Sequence, residues 1–298
     1  MKQENNAKAI LAIAMKLSKP IAYLIILLVT YTMGYLIASS SSSPPPFSSI
    51  SELTNLPNQL DHFRVTTRCS DRPVQPELVR QTILDRVFNS RSPYDNFPPP
   101  HVRDLLRTKR VKGWGSYGAV FDHLVRSVKP RIIIEVGTFL GASAIHMANL
   151  TRQLGLRTQI LCVDDFRGWP GFRDRFKDIG MVNGDVLLLQ QFMQNVVSFN
   201  FTESVLPVPF SSASALEKFC EWGIFGDLIE IDAGHDFNSA WADINRAYRI
   251  LRPGGVLFGH DYFTAAANRG VHRAVTLFAQ FHGLKVMVDG QHWVIDSS

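Results

Sequence analysis

The chain has 298 residues, 46% of them hydrophobic and 19% charged, with 20 Gly and 16 Pro. That is enough to bury a sizeable core, and it excludes collagen-like, low-complexity and disulfide-scaffold chains. The formal charge of +5 invites a nucleic-acid reading, but Lys2, Lys8, Lys16 and Lys19 against Glu4 carry much of it ahead of residue 39. The 27 basic and 25 acidic residues that remain leave no basic footprint for nucleic acid. Cys69, Cys162 and Cys220 are too few and too scattered for a metal knuckle and allow at most one bridge.

Residues 1–20 read as a cytosolic tail. Ile21 to Ala38 is a run of 18 uncharged, mostly apolar residues, about 27 Å as a helix, near the thickness of a hydrocarbon core. Lysines precede it and acids follow, so the positive-inside rule predicts a single-pass type II signal anchor with the remainder lumenal. A cleaved signal and an organelle transit peptide are the alternatives; the long lead and the long apolar run favour the anchor. Residues 39–75, opening SSSSSPPPFSS, read as an extended stem. Anchor, Ser/Pro stem and a globular domain at 76–298 is the layout of Golgi enzymes. Asn149-Leu-Thr151 and Asn200-Phe-Thr202 are sequons that such a compartment exposes to glycosylation, although Asn149 falls within a predicted helix.

In the globular part, Tyr117, Val120, Phe121, Leu124, Val125 and Val128 recur with helical spacing. The β-branched run after Arg131 predicts a strand buried on both faces. Gly137-Thr-Phe-Leu-Gly141, a helix over Ala142 to Gln153 and a strand over Gln159 to Val163 follow. Further strands are predicted at Val205 to Val208, Asp227 to Ile231, Gly255 to Gly259, Lys285 to Val288 and His292 to Ile295, with helices between most of them. The alternation predicts a doubly wound parallel sheet, and Asp289-Gly290 signals a hairpin that makes one strand antiparallel. The long segment between Asp165 and Asp185, with Phe166, Trp169, Phe172 and Phe176 amid basic residues, reads either as a lid over an acceptor or as a packed loop. Cys162 within its strand reads as a small buried hydrophobe.

Ligands in such sheets bind beyond the carboxyl ends of the strands. The loop after the first strand lacks the second glycine of a dinucleotide-binding fold, Phe139 standing there instead, so a ligand without a pyrophosphate fits better. Asp164, ending the second strand, sits where a carboxylate can accept both ribose hydroxyls of a nucleoside. Glycine loop and ribose acid together point to S-adenosylmethionine. Asp232 and Asp261 end neighbouring strands and suit a hard divalent cation. His235, just before a helix, is the candidate general base, with His260 its rival.

Over Trp114 to Ile295, with the motifs IIEVGTFLGASA, ILCVDDF, IEIDAGHDF and LRPGGVLFGHDY, the sequence resembles class I S-adenosylmethionine-dependent methyltransferases. Within them it is similar to the macrocin O-methyltransferase and cephalosporin-hydroxylase-like group, and also to membrane-anchored plant methyltransferase-like proteins. The resemblance implies a Rossmann-like seven-stranded α/β sheet with an antiparallel last strand. It implies that Glu135, Gly137, Thr138 and Gly141 line the methionine and ribose side of the cofactor and that Asp164 binds the ribose, with Asp165 as fallback. It puts the loop around Ser212 near the adenine. It also implies a magnesium site at Asp232 and Asp261; His260 stands where relatives often carry a second acid, and an imidazole favours manganese or zinc over magnesium. The expected activity is methyl transfer to a hydroxyl of a glycan or other secretory-pathway metabolite. A phenolic small-molecule acceptor, a hydroxylase and a catalytically silent Golgi partner protein are the alternatives, and an oligomer is compatible with the sequence.

Overall fold

The structure, a computed structural model, describes residues 66–297 and, ahead of them, Thr32. The expected span at 21–38, the tail before it and the stem up to residue 65 therefore lie outside the described residues, Thr32 apart. Among the described residues no helix is long and apolar enough to cross a membrane.

After helix α1 (Pro76–Val87), the chain builds α2 (Ala119–Val128), β1 (Ile132–Val136), α3 (Ala142–Gln153) and β2 (Gln159–Val163). A short helix α4 (Phe172–Arg175) and a two-stranded ribbon of β3 (Met181–Val182) and β4 (Asp185–Val186) precede α5 (Leu188–Ser198) and β5 (Val205–Val208). Then come α6 (Ser212–Trp222), β6 (Gly226–Ile231), α7 (Phe237–Arg249), β7 (Leu251–Gly259), α8 (Ala266–His282), β8 (Val286–Asp289) and β9 (His292–Asp296). Seven strands form one sheet in the order β5-β2-β1-β6-β7-β9-β8. The first five run parallel, and β9 is antiparallel to both neighbours.

Every residue of β1 and β2 is buried, as the unbroken apolar runs require of strands covered on both faces. Val120, Phe121, Leu124 and Val125 of α2, with Ala144, Ile145, Met147 and Ala148 of α3 and Phe192 of α5, pack with Ile133, Ile160, Leu228 and Phe258 of the sheet into one apolar cluster. Trp241 and Ile244 of α7 and Val275 and Phe278 of α8 are buried likewise. The hairpin turn is Gly290-Gln291, closed by the Asp289–His292 pair.

Of the two readings open for the segment at 165–185, the packed loop is the one seen: Phe166, Phe172 and Phe176 are buried and Trp169 stays partly exposed, with Phe172 and Phe176 edge-on to Phe139 and stacked on each other. And the domain reaches back before residue 76. Cys69 is disulfide-bonded to Cys220 at the end of α6, and the Ser70 and Val74 amides donate to the Cys220 and Gly223 carbonyls. No periodicity announces this strap, since it is held by one covalent bond and by main-chain groups. Cys162 is free and buried, as read.

Candidate active site

The candidate site gathers at the carboxyl ends of β1, β2, β6 and β7. Gly137, at φ +92°, turns the chain sharply after β1, and a Cβ there would lie 2.1 Å from the Asp232 carbonyl oxygen. Only glycine lets the loop after β1 touch the end of β6. Gly141 caps α3 from the left-handed region.

Beneath this loop Glu135 is fully buried. It accepts hydrogen bonds from the Thr138 and Ser143 hydroxyls and, at 3.4 Å, from the Cys162 thiol. Glu230 lies beside it in register on β6, also buried, with Oε2 unpartnered. Burial pushes the Glu135 carboxyl up to about 7, although the hydrogen bonds from Ser143, Thr138 and Cys162 pull the other way. Burial, then the charge of Glu135, pushes Glu230 up as well. Glu230 was invisible to the sequence reading; its only signal is an acid inside an otherwise apolar strand. Glu135 and Thr138 thus face one another under the loop.

Asp164, half-buried at the end of β2, accepts from the amides of Phe166 at 2.7 Å and Phe139 at 2.8 Å. These bonds fix the β1 loop to the β2 end; burial nonetheless raises its carboxyl above the usual range. Asp165 is exposed and accepts from the Arg167 amide. Ser211 caps α6, accepting from the Ser214 amide. Ser212 begins that helix.

At the ends of β6 and β7 two carboxylates and two imidazoles converge. His235 Nε2 lies 3.0 Å from Asp261 Oδ2 and 3.9 Å from Asp232 Oδ1. His260 Nδ1 lies 3.5 Å from Asp261 Oδ2 and 4.0 Å from Asp232 Oδ1, is buried, and forms no hydrogen bond. Ligand atoms of Asp232, His235 and Asp261 all come within 4.8 Å of one another. This trio differs from the expected set of Asp232, His260 and Asp261, because the loop after β6 folds His235 back over Asp261. The fold permits that return through Gly270 of α8, where a Cβ would lie 2.5 Å from the His235 carbonyl oxygen and the Phe237 nitrogen.

The two carboxyls are driven apart electrostatically. Burial raises Asp232 to about 8, with the charge of His260 opposing and those of Asp261 and Glu135 adding. Burial also acts to raise Asp261, but the close approach of His260, the hydrogen bond from Thr264 and the charges of His235 and His260 prevail and hold it at about 2. Burial works against protonation of His260, and the neighbouring Asp261 and Asp232 outweigh it and raise its pKa. His260 also walls a second cavity of about 350 Å³ between Gly113–Ala119 and the β8–β9 turn.

Residues 134–262 match the family model described as a methyltransferase domain. That match supports an S-adenosylmethionine-dependent methyltransferase. The matched span runs from β1 through the Asp232 and Asp261 cluster. No curated protein matches the chain. Among solved structures, an O-methyltransferase from Bacillus cereus in complex with S-adenosylhomocysteine is 16% identical, with 74% of this chain and 99% of that chain covered at a TM-score of 0.44. The O-methyltransferase TomG from Streptomyces achromogenes, involved in tomaymycin synthesis and solved with S-adenosylmethionine, is 14% identical over 64% of this chain and 82% of that one, at a TM-score of 0.44. Neither likeness carries a functional assignment.

Proposed function

We propose that this methyltransferase transfers a methyl group from S-adenosylmethionine to a hydroxyl of a sugar or other polar secretory-pathway metabolite, assisted by a divalent cation. The observation that carries the reading is the convergence of Asp232, His235, His260 and Asp261 beside the Gly137 loop.

The residues fit both groups. Asp164 spends one lone pair of each oxygen on a main-chain amide, which leaves acceptor capacity for two ribose hydroxyls. The unpartnered, buried His260 Nδ1 beside two carboxylates is the donor set of a cation that tolerates nitrogen, manganese before magnesium. Asp232, Asp261 and His260 would hold it. Bound there, the cation supplies Lewis acidity that eases ionisation of the acceptor hydroxyl, and S-adenosylmethionine supplies a sulfonium methyl and leaves as a neutral thioether. His235, with 48% of its side chain exposed and Asp261 orienting it at 3.0 Å, takes the hydroxyl proton. The Gly137 loop and Asp164 set the donor in line with the acceptor oxygen, and alignment supplies much of the rate.

The cavity beside His260 offers room for an acceptor. Ser116, Tyr117, Asp289, Gln291 and His292 line it, with glycines and Ala119, and no large aliphatic side chain does; its volume is in the range of small-molecule sites, about 300–1,000 Å³. The disulfide Cys69–Cys220 supports an oxidising compartment, since cytosolic proteins rarely keep one. Together with the anchor expected at 21–38, it supports a lumenal, type II orientation in the secretory pathway, for which the Golgi is our reading.

Calorimetric titration of S-adenosylmethionine and S-adenosylhomocysteine into the full-length protein tests the reading. Micromolar binding, weakened at least about tenfold by Asp164→Ala, is expected. A folded protein that takes up neither compound would overturn it.

A further inference from the structure

The two sequons stand in opposite structural settings. Asn149 lies in the last turns of α3, half-buried, and its partner Thr151 is buried, with the hydroxyl spent on the Met147 and Ala148 carbonyls. A bulky, hydrophilic glycan on that helix face would have to be accommodated against packed core. Asn200 is exposed, in the turn between α5 and β5, at φ +57°, a conformation that asparagine tolerates better than most residues.

The residues around Asn200 hold the turn in place while leaving its side chain outside. Phe201 is buried, with the Arg152 guanidinium 4.2 Å from its ring centre. The Thr202 carbonyl accepts from Arg80 at 3.1 Å. The Ser204 carbonyl accepts from the amide of Ile160, at the start of β2. The turn therefore sits at the amino end of β2, whereas Asp164 ends that strand on the catalytic side. A glycan there covers no part of the candidate site.

We infer that Asn200 is an N-glycosylation site and that Asn149 is not; the inference rests on the lumenal orientation proposed above. In the reaction the Asn200 amide nitrogen forms a bond to C1 of an oligosaccharide carried on a lipid pyrophosphate, the C1–O bond to the pyrophosphate breaks, the amide loses one proton and the lipid pyrophosphate departs. No other reactant is required.

The test is translation of the full chain in the presence of microsomes, comparing wild type, Asn200→Gln and Asn149→Gln, with protease protection of the domain read in parallel. The expected result is a single endoglycosidase-sensitive band shift in wild type and Asn149→Gln, absent in Asn200→Gln. A protected domain without any shift, or a shift lost in Asn149→Gln and kept in Asn200→Gln, would overturn the site assignment while leaving the orientation intact. A domain digested outside the microsomes would overturn the orientation and the site together.

Discussion

Asp232 is joined to the Gly137 loop through its own main chain, so the smallest change at Gly137 reaches the candidate cation site. Gly137→Ala puts a methyl group 2.1 Å from the Asp232 carbonyl oxygen at a φ of +92°. We expect a loss of at least about 1–3 kcal/mol in denaturant unfolding, with weakened cofactor binding. His235→Ala should leave the fold intact and lower kcat by about 10²- to 10⁴-fold with little effect on S-adenosylmethionine affinity, as measured by turnover and calorimetry. Asp232 is raised to about 8, so it binds a proton that a cation must displace. Manganese affinity, measured by titration, should therefore rise with pH up to about 8 and then level off. Glu135 predicts a stability effect of its own. Its carboxyl is pushed from 4.5 to about 7 in the folded protein, so the native state binds more protons than the unfolded one between those values. The stabilisation is complete below about 4.5 and is lost as pH rises through about 7. Glu135→Gln should flatten the unfolding profile across that window. Of these residues, Glu135, Asp164, Asp232 and Asp261 were legible in the sequence because each ends or nearly ends a strand with a strong apolar pattern. Glu230 was not, since a lone acid inside a strand has no pattern to give it away, and His235's approach to Asp261 depends on loop geometry that spacing does not encode.

At the scale of elements, the strands and helices from β1 onward were readable because their periodicities are unmixed: α3, β2 and β5 begin and end where the apolar pattern does. The segment after β2 was ambiguous because its aromatic residues suit either a lid or a packed loop, and only tertiary edge-on packing against Phe139 decides. The insertion of β9 between β7 and β8 is likewise a matter of pairing, which the Asp289-Gly290 signal announces only as a hairpin. The strap at 66–75 gives the prediction that belongs here. Its disulfide closes a sequence separation of 151 residues, and long closed loops restrict the unfolded chain most. Cys220→Ser should lower unfolding stability by about 2–4 kcal/mol, with cofactor binding retained.

For the whole molecule, the doubly wound sheet collects four strand ends into one cleft, while the chain's approach to the domain is fastened elsewhere. Cys220 and Gly223 precede β6, Arg249 precedes β7 and Arg252 is its second residue; these hold the strap, whereas Asp232, His260 and Asp261 follow the carboxyl ends of the same strands. The predicted anchor at 21–38 should make the full-length protein sediment with membranes and resist alkaline extraction, and its deletion should release the protein to the supernatant.

The fastened strap also bears on how the protein can be handled. A tag or surface linker attached ahead of residue 66 draws on the domain through Cys69 and Cys220, at the side of the sheet away from the cleft. Capture on a biosensor chip by that end would hold the domain from the side on which Cys69 and Cys220 lie, away from the strand ends that carry Asp232 and Asp261.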